Sequence, residues 1–353
     1  MAIGSKLSEL KKYRYKVVLF VAVFWTIVDL LAVTLSNKPN AITQPSQFVI
    51  RELIVFIMSA VMGYLLVFTL KKLFRNKLLW ASLLFKSTLL VGAAFLMNLS
   101  LYLLRYIQSS IPLENSFHDL FYEIQHPRLL AQKIGYWLAL IVITQLIIEI
   151  NEKYSPGVFV DLLLGKYKNP KTENRIVVFI DLSDSTTIAE KLGHTLYFKF
   201  IRDFIYNVSN ALIEYDGRIY QYVGDEIVVS WMYSENNLKR CLKSIIEARR
   251  NIQKDSNRFK REYETIPEFR VGIHVGEVTV GEIGVIKKDI AMSGDTMNTT
   301  ARIRSACSEL NKKFIVSKDF MDKSSLENFQ AESLGMVELK GKKREIELFH
   351  LKI

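Results

Sequence analysis

The first 150 residues contain four long apolar runs, and these runs constrain the fold more than any other feature of the sequence. They lie at residues 17–34, 53–70, 78–104 and 135–150. A helix needs about 20 apolar residues to cross a bilayer, and each run approaches or exceeds that length. We therefore predict an α-helical membrane domain of about four transmembrane helices in residues 1–150. Runs this long and this poor in charge disfavour the alternative, a soluble bundle of buried helices.

Lysine and arginine are distributed unevenly between these runs, and this distribution predicts an orientation. Basic residues cluster before the first run and in the second connection, whereas the first connection has only Lys38 and Arg51. Such basic segments stay on the cytoplasmic side of a membrane. Four crossings would return the chain to that side. We therefore expect a multi-pass protein of the cell (inner) membrane with its N- and C-termini in the cytoplasm.

Charged residues lie at depth within two of the runs, Asp29 in the first and Lys86 in the third. Charged residues at such depth usually face the interior of a helix bundle and often mark a functional site. They could pair with each other or line a cavity for an unknown ligand, or Lys86 could extend to the membrane surface. Anchoring and alignment of a dimer are the simpler role for this domain.

Residues 151–173 separate the apolar region from the rest of the chain and include Pro156 and Pro170. We interpret them as a linker that could couple the two parts. The net charge of +11 lies partly beside the apolar runs, where it would meet anionic lipid, and no nucleic-acid motif accompanies it. A lipid bilayer is therefore the expected partner, and nucleic acid is not. The two cysteines, Cys241 and Cys307, have no metal-ligand spacing and imply no disulfide framework.

Residues 174–353 alternate between strand and helix patterns, which predicts an α+β domain. The expected elements are a strand ending in IDL, helices near Ser183 and over Thr195–Tyr215, a hairpin turning at Gly224 and Asp225, a long helix over Leu238–Phe259, a second hairpin within FRVGIHVGEVTVGEIG, a helix after Gly294, and two closing strands. Helices are expected mostly on one face of the sheet.

Two of these segments present an acidic residue at the end of a strand or in a tight turn. Asp181 ends the first strand in FIDLSDST, and Asp225 follows Gly224 in the first hairpin. Each aspartate alone would more simply be a turn or helix-cap residue. Carboxylates on neighbouring strand ends form an oxygen-rich site that suits Mg²⁺ or Mn²⁺ bridged to phosphates. The pair therefore predicts nucleotide chemistry.

Four motifs occur in order: the strand aspartate, the Gly-Asp hairpin, GDTMNTTAR and the LKGKK turn. Together they resemble the catalytic domain of class III nucleotidyl cyclases, over about residues 174–353. The resemblance implies a ferredoxin-like βαββαβ core and two divalent metal ions (Mg or Mn) held by Asp181, Asp225 and the backbone carbonyl of Leu182. The apolar half is similar in architecture to membrane-anchored bacterial members.

The resemblance also implies roles for three further residues. Asn298 would position the ribose, Arg302 would stabilise charge on the α-phosphate, and Lys340 would contact the terminal phosphates, with Lys342 or Lys343 as possible substitutes. Asn298 and Arg302 are four residues apart and so share one helix face. In the family, one subunit supplies the carboxylates and the other supplies these groups, so a homodimer is expected.

Two positions that select the base depart from the family pattern. Adenylate-selective members usually have lysine where this chain has Gln221, and often aspartate or threonine where it has Ala291. The glutamine amide has both a donor and an acceptor and could pair with adenine or guanine. We expect an adenylate cyclase that converts ATP to cyclic AMP. A guanylate cyclase and an inactive nucleotide-binding receptor remain as alternatives.

Overall fold

The computed structural model describes residues 9–35, 45–70, 138–148, 164–285, 289–324, 331–339 and 345–352, together with isolated positions between 84 and 161. The chain divides into two compact units. Apart from the first ten residues, the first unit is Lys11–Lys153 and the second is Tyr154–Ile353.

The described part of the first unit is helical. It contains α1 (Glu9–Leu35), α2 (Pro45–Tyr64), which continues as a π-helical segment (Leu65–Leu70), and α3 (Leu138–Ile148). Two stretches of these helices are long and apolar enough to cross a membrane, Arg14–Thr34 and Phe48–Thr69. They correspond to the first two predicted runs.

The described residues do not show a membrane-spanning helix in the other two predicted runs. Almost all of the run at residues 78–104 lies outside the described residues. The run at residues 135–150 contains α3, whose described length is shorter than a crossing needs.

Polar contacts join the three helices of the first unit. The indole nitrogen of Trp25 in α1 donates to the hydroxyl of Thr144 in α3 at 2.8 Å. Asp29 of α1 is buried, and its Oδ2 lies 2.6 Å from Nη1 of Arg51 in α2. The sequence suggested Lys86 as a partner of Asp29, but Lys86 lies outside the described residues. Arg51, assigned above to a connection, belongs to α2.

The second unit has α+β architecture. Its elements in chain order are β1 (Lys171–Leu182), α4 (Ser185–Glu214), β2 (Arg218–Val223), β3 (Glu226–Met232), α5 (Glu235–Lys254), α6 (Ser256–Tyr263), β4 (Phe269–Ile283), β5 (Asp289–Ser293), α7 (Asp295–Glu309), β6 (Phe314–Ser317), α8 (Lys318–Lys323), β7 (Ala331–Val337) and β8 (Ile346–Leu351).

The described strands form one eight-stranded sheet in the order β2-β3-β1-β4-β6-β8-β7, and β5 pairs with β4. The first four strands lie in the order β2-β3-β1-β4 with antiparallel neighbours. With helices between β1 and β2 and between β3 and β4, this is the predicted ferredoxin-like βαββαβ arrangement.

Strand β1 is the centre of the core because both of its faces are covered. Ile176, Val178 and Ile180 pack in a cluster with residues of α4, α5 and α6. Val177 and Phe179 belong to a second cluster that includes Met297 and Ala301 of α7. Successive strand residues point to opposite faces, so Asp181 shares the α7 side with Val177 and Phe179. Helices α4, α5, α6 and α8 pack on one face and α7 alone on the other, which agrees with the expectation of helices mostly on one face.

Two sequence predictions about elements were wrong. The expected helix over Leu238–Phe259 is interrupted at Asp255, whose carboxylate accepts from the amide of Asn207 at 3.1 Å and from Arg258 at 2.8 Å. These bonds hold Asp255 at the junction of α5 and α6. The expected hairpin within residues 269–284 is a single long strand, β4. Pairing with β1 along its length, and with β5 near its end, keeps β4 extended.

Candidate active site

Asp181 lies at the end of β1, opposite Arg270 of β4 in the antiparallel ladder. Its carboxylate is largely buried, and this desolvation raises its pKa above the ordinary value. The Arg304 guanidinium opposes the rise, while the negative charge of Asp225 adds to it. Asp181 and Asp225 are therefore electrostatic neighbours. The structure brings together the two carboxylates that the sequence predicted as a pair.

Asp225 occupies the tight turn between β2 and β3. The preceding Gly224 has φ of 63°, a conformation that glycine adopts without steric cost. The Oδ2 atom of Asp225 is buried and has no hydrogen-bond partner. Buried charged oxygens normally have partners, so an unpartnered one beside a second carboxylate suits a cation.

The described residues contain no group of three or more His, Cys, Asp or Glu side chains arranged to hold a metal. The acidic pair would therefore need further oxygen ligands from backbone, water or substrate. Leu182 could contribute only its backbone carbonyl, because its side chain is a hydrocarbon, packed in the core. The donor set fits Mg²⁺ or Mn²⁺ bound together with phosphate oxygens.

Arg304 of α7 is a component that the sequence did not predict. Its Nη1 donates to Asp181 Oδ2 at 3.2 Å, and its Nη2 lies 2.6 Å from Glu226 Oε2. Glu226 follows Asp225 directly in the chain. Desolvation raises the pKa of Glu226, and the nearby Arg304 opposes this rise. One guanidinium therefore spans two carboxylates at the predicted metal site.

A second cationic residue, Arg270, was also missed from the sequence. Besides facing Asp181 in the ladder, it approaches the Asp184 carboxylate at 3.6 Å. Asp184 adopts a left-handed conformation at the start of α4, with φ of 55°. Arg270 thus lies between β1 and the start of α4, where it adds positive charge to the site.

Asn298 and Arg302 lie together on α7, but on another part of its surface. Arg302 and Arg304 are two residues apart and so point to nearly opposite sides of the helix. Asn298 is exposed and Arg302 is partly exposed. Among the described residues, neither is hydrogen-bonded to or ion-paired with Asp181 or Asp225. The two halves of the predicted site are therefore not joined within one chain.

The remaining predicted residues lie on the strands or beyond the described chain. Gln221 is an exposed residue of β2, and Ala291 of β5 pairs with Gly281 of β4. The residues next to them in sequence are hydrogen-bonded, because the backbone N–H of Met292 donates to the hydroxyl of Tyr220 at 3.1 Å. Lys340, with Lys342 and Lys343, lies outside the described residues.

Comparison with known proteins adds to this geometry. Residues 167–352 match the family described as the adenylate and guanylate cyclase catalytic domain. Adenylate cyclase 2 of Rhizobium meliloti (strain 1021) is 32% identical over 207 residues, which cover 58% of this chain and 57% of that protein. Retinal guanylyl cyclase 2 of Rattus norvegicus is 25% identical over 200 residues, or 56% of this chain and 18% of that protein. The chain thus aligns with about half or less of these relatives' length.

Among solved structures, a bacterial light-regulated adenylyl cyclase matches with a TM-score of 0.54 at 17% identity. The match covers 64% of this chain and 65% of that one. At this identity the likeness concerns the fold alone, and it agrees with the α+β arrangement of the second unit.

Proposed function

Because this chain belongs to the adenylate and guanylate cyclase family, we propose that it is a membrane-bound enzyme that converts ATP to 3′,5′-cyclic AMP and pyrophosphate. The observation that carries the proposal is the acidic pair at the end of β1 and in the β2–β3 turn. Asp225 has a buried oxygen without a partner, and it lies close enough to Asp181 to raise the pKa of that carboxyl. The unpartnered oxygen of Asp225 beside a second carboxylate suits a divalent cation.

The proposed reaction requires no protein nucleophile. The ribose 3′-oxygen attacks the α-phosphorus and loses its proton, while the bond from the α-phosphorus to the bridging oxygen breaks and pyrophosphate leaves. Two divalent ions, when bound, would lower the pKa of the 3′-hydroxyl and neutralise the triphosphate. Asp181, Asp225 and the Leu182 carbonyl would hold those ions.

Polar side chains on another copy of the chain would position the substrate and stabilise the developing charge. Asn298 would orient the ribose, and the planar donors of Arg302 would stabilise negative charge that develops on the α-phosphate. Lys340 would contact the terminal phosphates. Both helix residues are accessible on α7 and lie apart from the carboxylates of their own chain. A homodimer in which each copy completes the site of the other accounts for this separation.

Exposed apolar side chains support a partner surface on the same unit. Tyr222 and Val223 are exposed beside the β2–β3 turn, and Ile283 and Val285 are exposed at the end of β4 and just after it. Both places adjoin residues of the predicted site, Asp225 and Ala291. Large apolar side chains at such positions would be covered in a dimer.

ATP is the proposed substrate, although the family includes enzymes for both purines. The matched relative with 32% identity is an adenylate cyclase, which favours ATP. Gln221 and Ala291 permit adenine without excluding guanine, because the glutamine amide both donates and accepts. Guanylate cyclase activity is therefore the second candidate, supported by the matched guanylyl cyclases. An inactive nucleotide-binding receptor is the third.

The first unit would anchor the enzyme in the cell (inner) membrane. Two helices of sufficient length and apolar character support a bilayer as partner. The proposed topology has several crossings with both termini in the cytoplasm. The buried Asp29–Arg51 pair gives this unit a polar feature where an unknown ligand could act.

One assay tests the enzymatic proposal. The purified full-length chain is incubated separately with ATP and with GTP, in Mg²⁺ or Mn²⁺, with Asp225→Ala as a matched control. We expect cyclic AMP and pyrophosphate in equal amounts from ATP, and neither from the variant. Equal turnover of both nucleotides would contradict the preference for ATP, and the absence of any cyclic nucleotide would favour the receptor.

A further inference from the structure

Arg304 places a positive charge inside the candidate metal site. Its two terminal nitrogens reach different carboxylates, Asp181 at 3.2 Å and Glu226 at 2.6 Å. The three side chains are largely shielded, with exposed fractions of 27% for Arg304, 20% for Asp181 and 14% for Glu226. Charges shielded in this way interact more strongly than charges in water.

The backbone at Arg304 has little freedom to move away. A β-carbon at Gly272 of β4 would lie 2.4 Å from the backbone nitrogen of Arg304, so helix and strand are in direct contact there. The guanidinium therefore starts from a fixed point on α7, and only its flexible side chain can adjust. Asp181 faces this same side of the sheet, which explains why Arg304 reaches it.

We propose that Arg304 is an internal counter-ion of the metal-free site, which a divalent ion must displace from Asp181 in order to bind. This proposal rests on the proposed function, because it concerns the metal ligands of that site. Arg304 keeps Asp181 paired while no ion is bound, and Glu226 retains the guanidinium beside the site afterwards. Arg304 is thus a positioning residue that lowers the affinity of the site for the divalent ion.

The physical reason is competition for one carboxylate. Asp181 Oδ2 accepts from Arg304 Nη1, whereas Asp225 Oδ2 has no hydrogen-bond partner. An incoming cation therefore meets one carboxylate oxygen without a hydrogen-bond partner, on Asp225, and one that already accepts from Arg304, on Asp181. It is also repelled by the guanidinium charge a few ångströms away. Both effects weaken metal binding, and both disappear when the charge of Arg304 is removed.

The test measures binding of Mn²⁺ alone to the full-length protein without nucleotide, by electron paramagnetic resonance of free Mn²⁺. We expect Arg304→Gln to bind Mn²⁺ about three- to tenfold more tightly than the unsubstituted protein. The matched control is Arg250→Gln, which removes the same charge from an exposed position on α5, a helix that packs on the other face of the sheet. It should leave Mn²⁺ affinity within about twofold of the unsubstituted protein.

Two results would overturn the proposal. Unchanged affinity in Arg304→Gln would mean that the guanidinium does not compete with the metal. Weaker binding would mean that Arg304 arranges the carboxylates in favour of the metal. Melting curves in EDTA confirm that each variant is folded, and Arg304→Lys, which retains a charge, should bind Mn²⁺ more weakly than Arg304→Gln.

Glu226 provides an independent check. If Glu226 acts through Arg304, Glu226→Gln should alter Mn²⁺ affinity in the unsubstituted protein and have little effect in the Arg304→Gln background. An equal loss in both backgrounds would make Glu226 a metal ligand itself and would overturn the counter-ion account. Cyclase activity measured on the same preparations tests the proposed function separately, because Mn²⁺ binding needs no turnover.

Discussion

Gly272 of β4 lies directly against Arg304 of α7, with room for no side chain between strand and helix. An added β-carbon would stand 2.4 Å from the backbone nitrogen of Arg304 and 2.8 Å from its Cα. Four residues further along the same strand face, Gly276 would place its β-carbon 2.5 Å from Oγ1 of Thr296. These two glycines let α7 lie close to the sheet, and this closeness brings Arg304 to Asp181.

Gly272→Ala should therefore destabilise the second unit. Its methyl group would meet backbone atoms, which cannot rotate away, so we expect a loss of roughly 1–3 kcal/mol in the free energy of unfolding. For a domain of this size each kcal/mol lowers Tm by about 2–4 °C. Melting of the full-length protein measures the shift. Gly281→Ala on the same strand is the comparison, because its added β-carbon would lie 3.3 Å from Pro170, a milder contact that a small shift relieves. An equal shift of Tm in both variants would contradict the close packing at Gly272.

The pKa of Asp181 gives a prediction about pH. Burial raises it above 3.8, so the folded state holds a proton that the unfolded chain releases more readily. Below that value both states are protonated, and as pH rises above it the burial of this carboxyl costs stability. Asp181→Asn should therefore raise Tm in EDTA at pH 7, and raise it less near pH 4. A variant that melts below the unsubstituted protein at pH 7 would show that the Arg304 ion pair outweighs desolvation.

Gln221 offers a test of base selection. A carboxylate at this position could accept from the two N–H donors on the guanine edge, but it offers adenine no donor. We expect Gln221→Glu to shift the ratio of kcat/KM for GTP and ATP toward GTP by about tenfold or more. Gln253→Glu makes the same chemical change at an exposed position near the end of α5 and should leave the ratio unchanged. An unaltered ratio in Gln221→Glu would remove this residue from the base pocket.

The pair of Asp29 and Arg51 in the first unit predicts a pattern of rescue. Arg51 also contacts Glu52, so Asp29→Ala leaves the guanidinium one partner, whereas Arg51→Ala leaves the Asp29 and Glu52 carboxylates without a cation. Arg51→Ala should therefore lower the Tm of the detergent-purified protein more than the double variant Asp29→Ala/Arg51→Ala does. Additive losses would mean that the two side chains do not interact.

The sequence predicted those parts of the site that depend on short segments. Asp181 could be identified because it ends an apolar strand, and Asp225 because a glycine precedes it in a hairpin. Arg304 could not, since its role depends on α7 packing against the face of the sheet that carries Asp181. A usable signal was present in VGIHVG, where Gly272 and Gly276 fall on one face of a strand and leave space for a helix.

The errors in the fold have a similar cause. Glycines and β-rich residues in residues 269–284 are compatible with a hairpin, and only the pairing of β4 with β1 and β5 keeps the strand extended. Likewise, the helical pattern continues through Asp255, and it is the distant Asn207 that holds this residue at the break. Contacts between segments far apart in sequence decided both outcomes.

In the proposed enzyme two copies of the chain build each active site, and mixing two inactive variants tests this arrangement. Asp181→Ala lacks a metal-binding carboxylate, and Arg302→Ala lacks the guanidinium that would stabilise the α-phosphate. Each homodimer should therefore be inactive. Co-expressed, they should form a heterodimer with one intact site and regain up to about a quarter of the unsubstituted activity, the share expected from random pairing. Activity no higher than that of either variant alone, despite demonstrated heterodimers, would contradict the shared site.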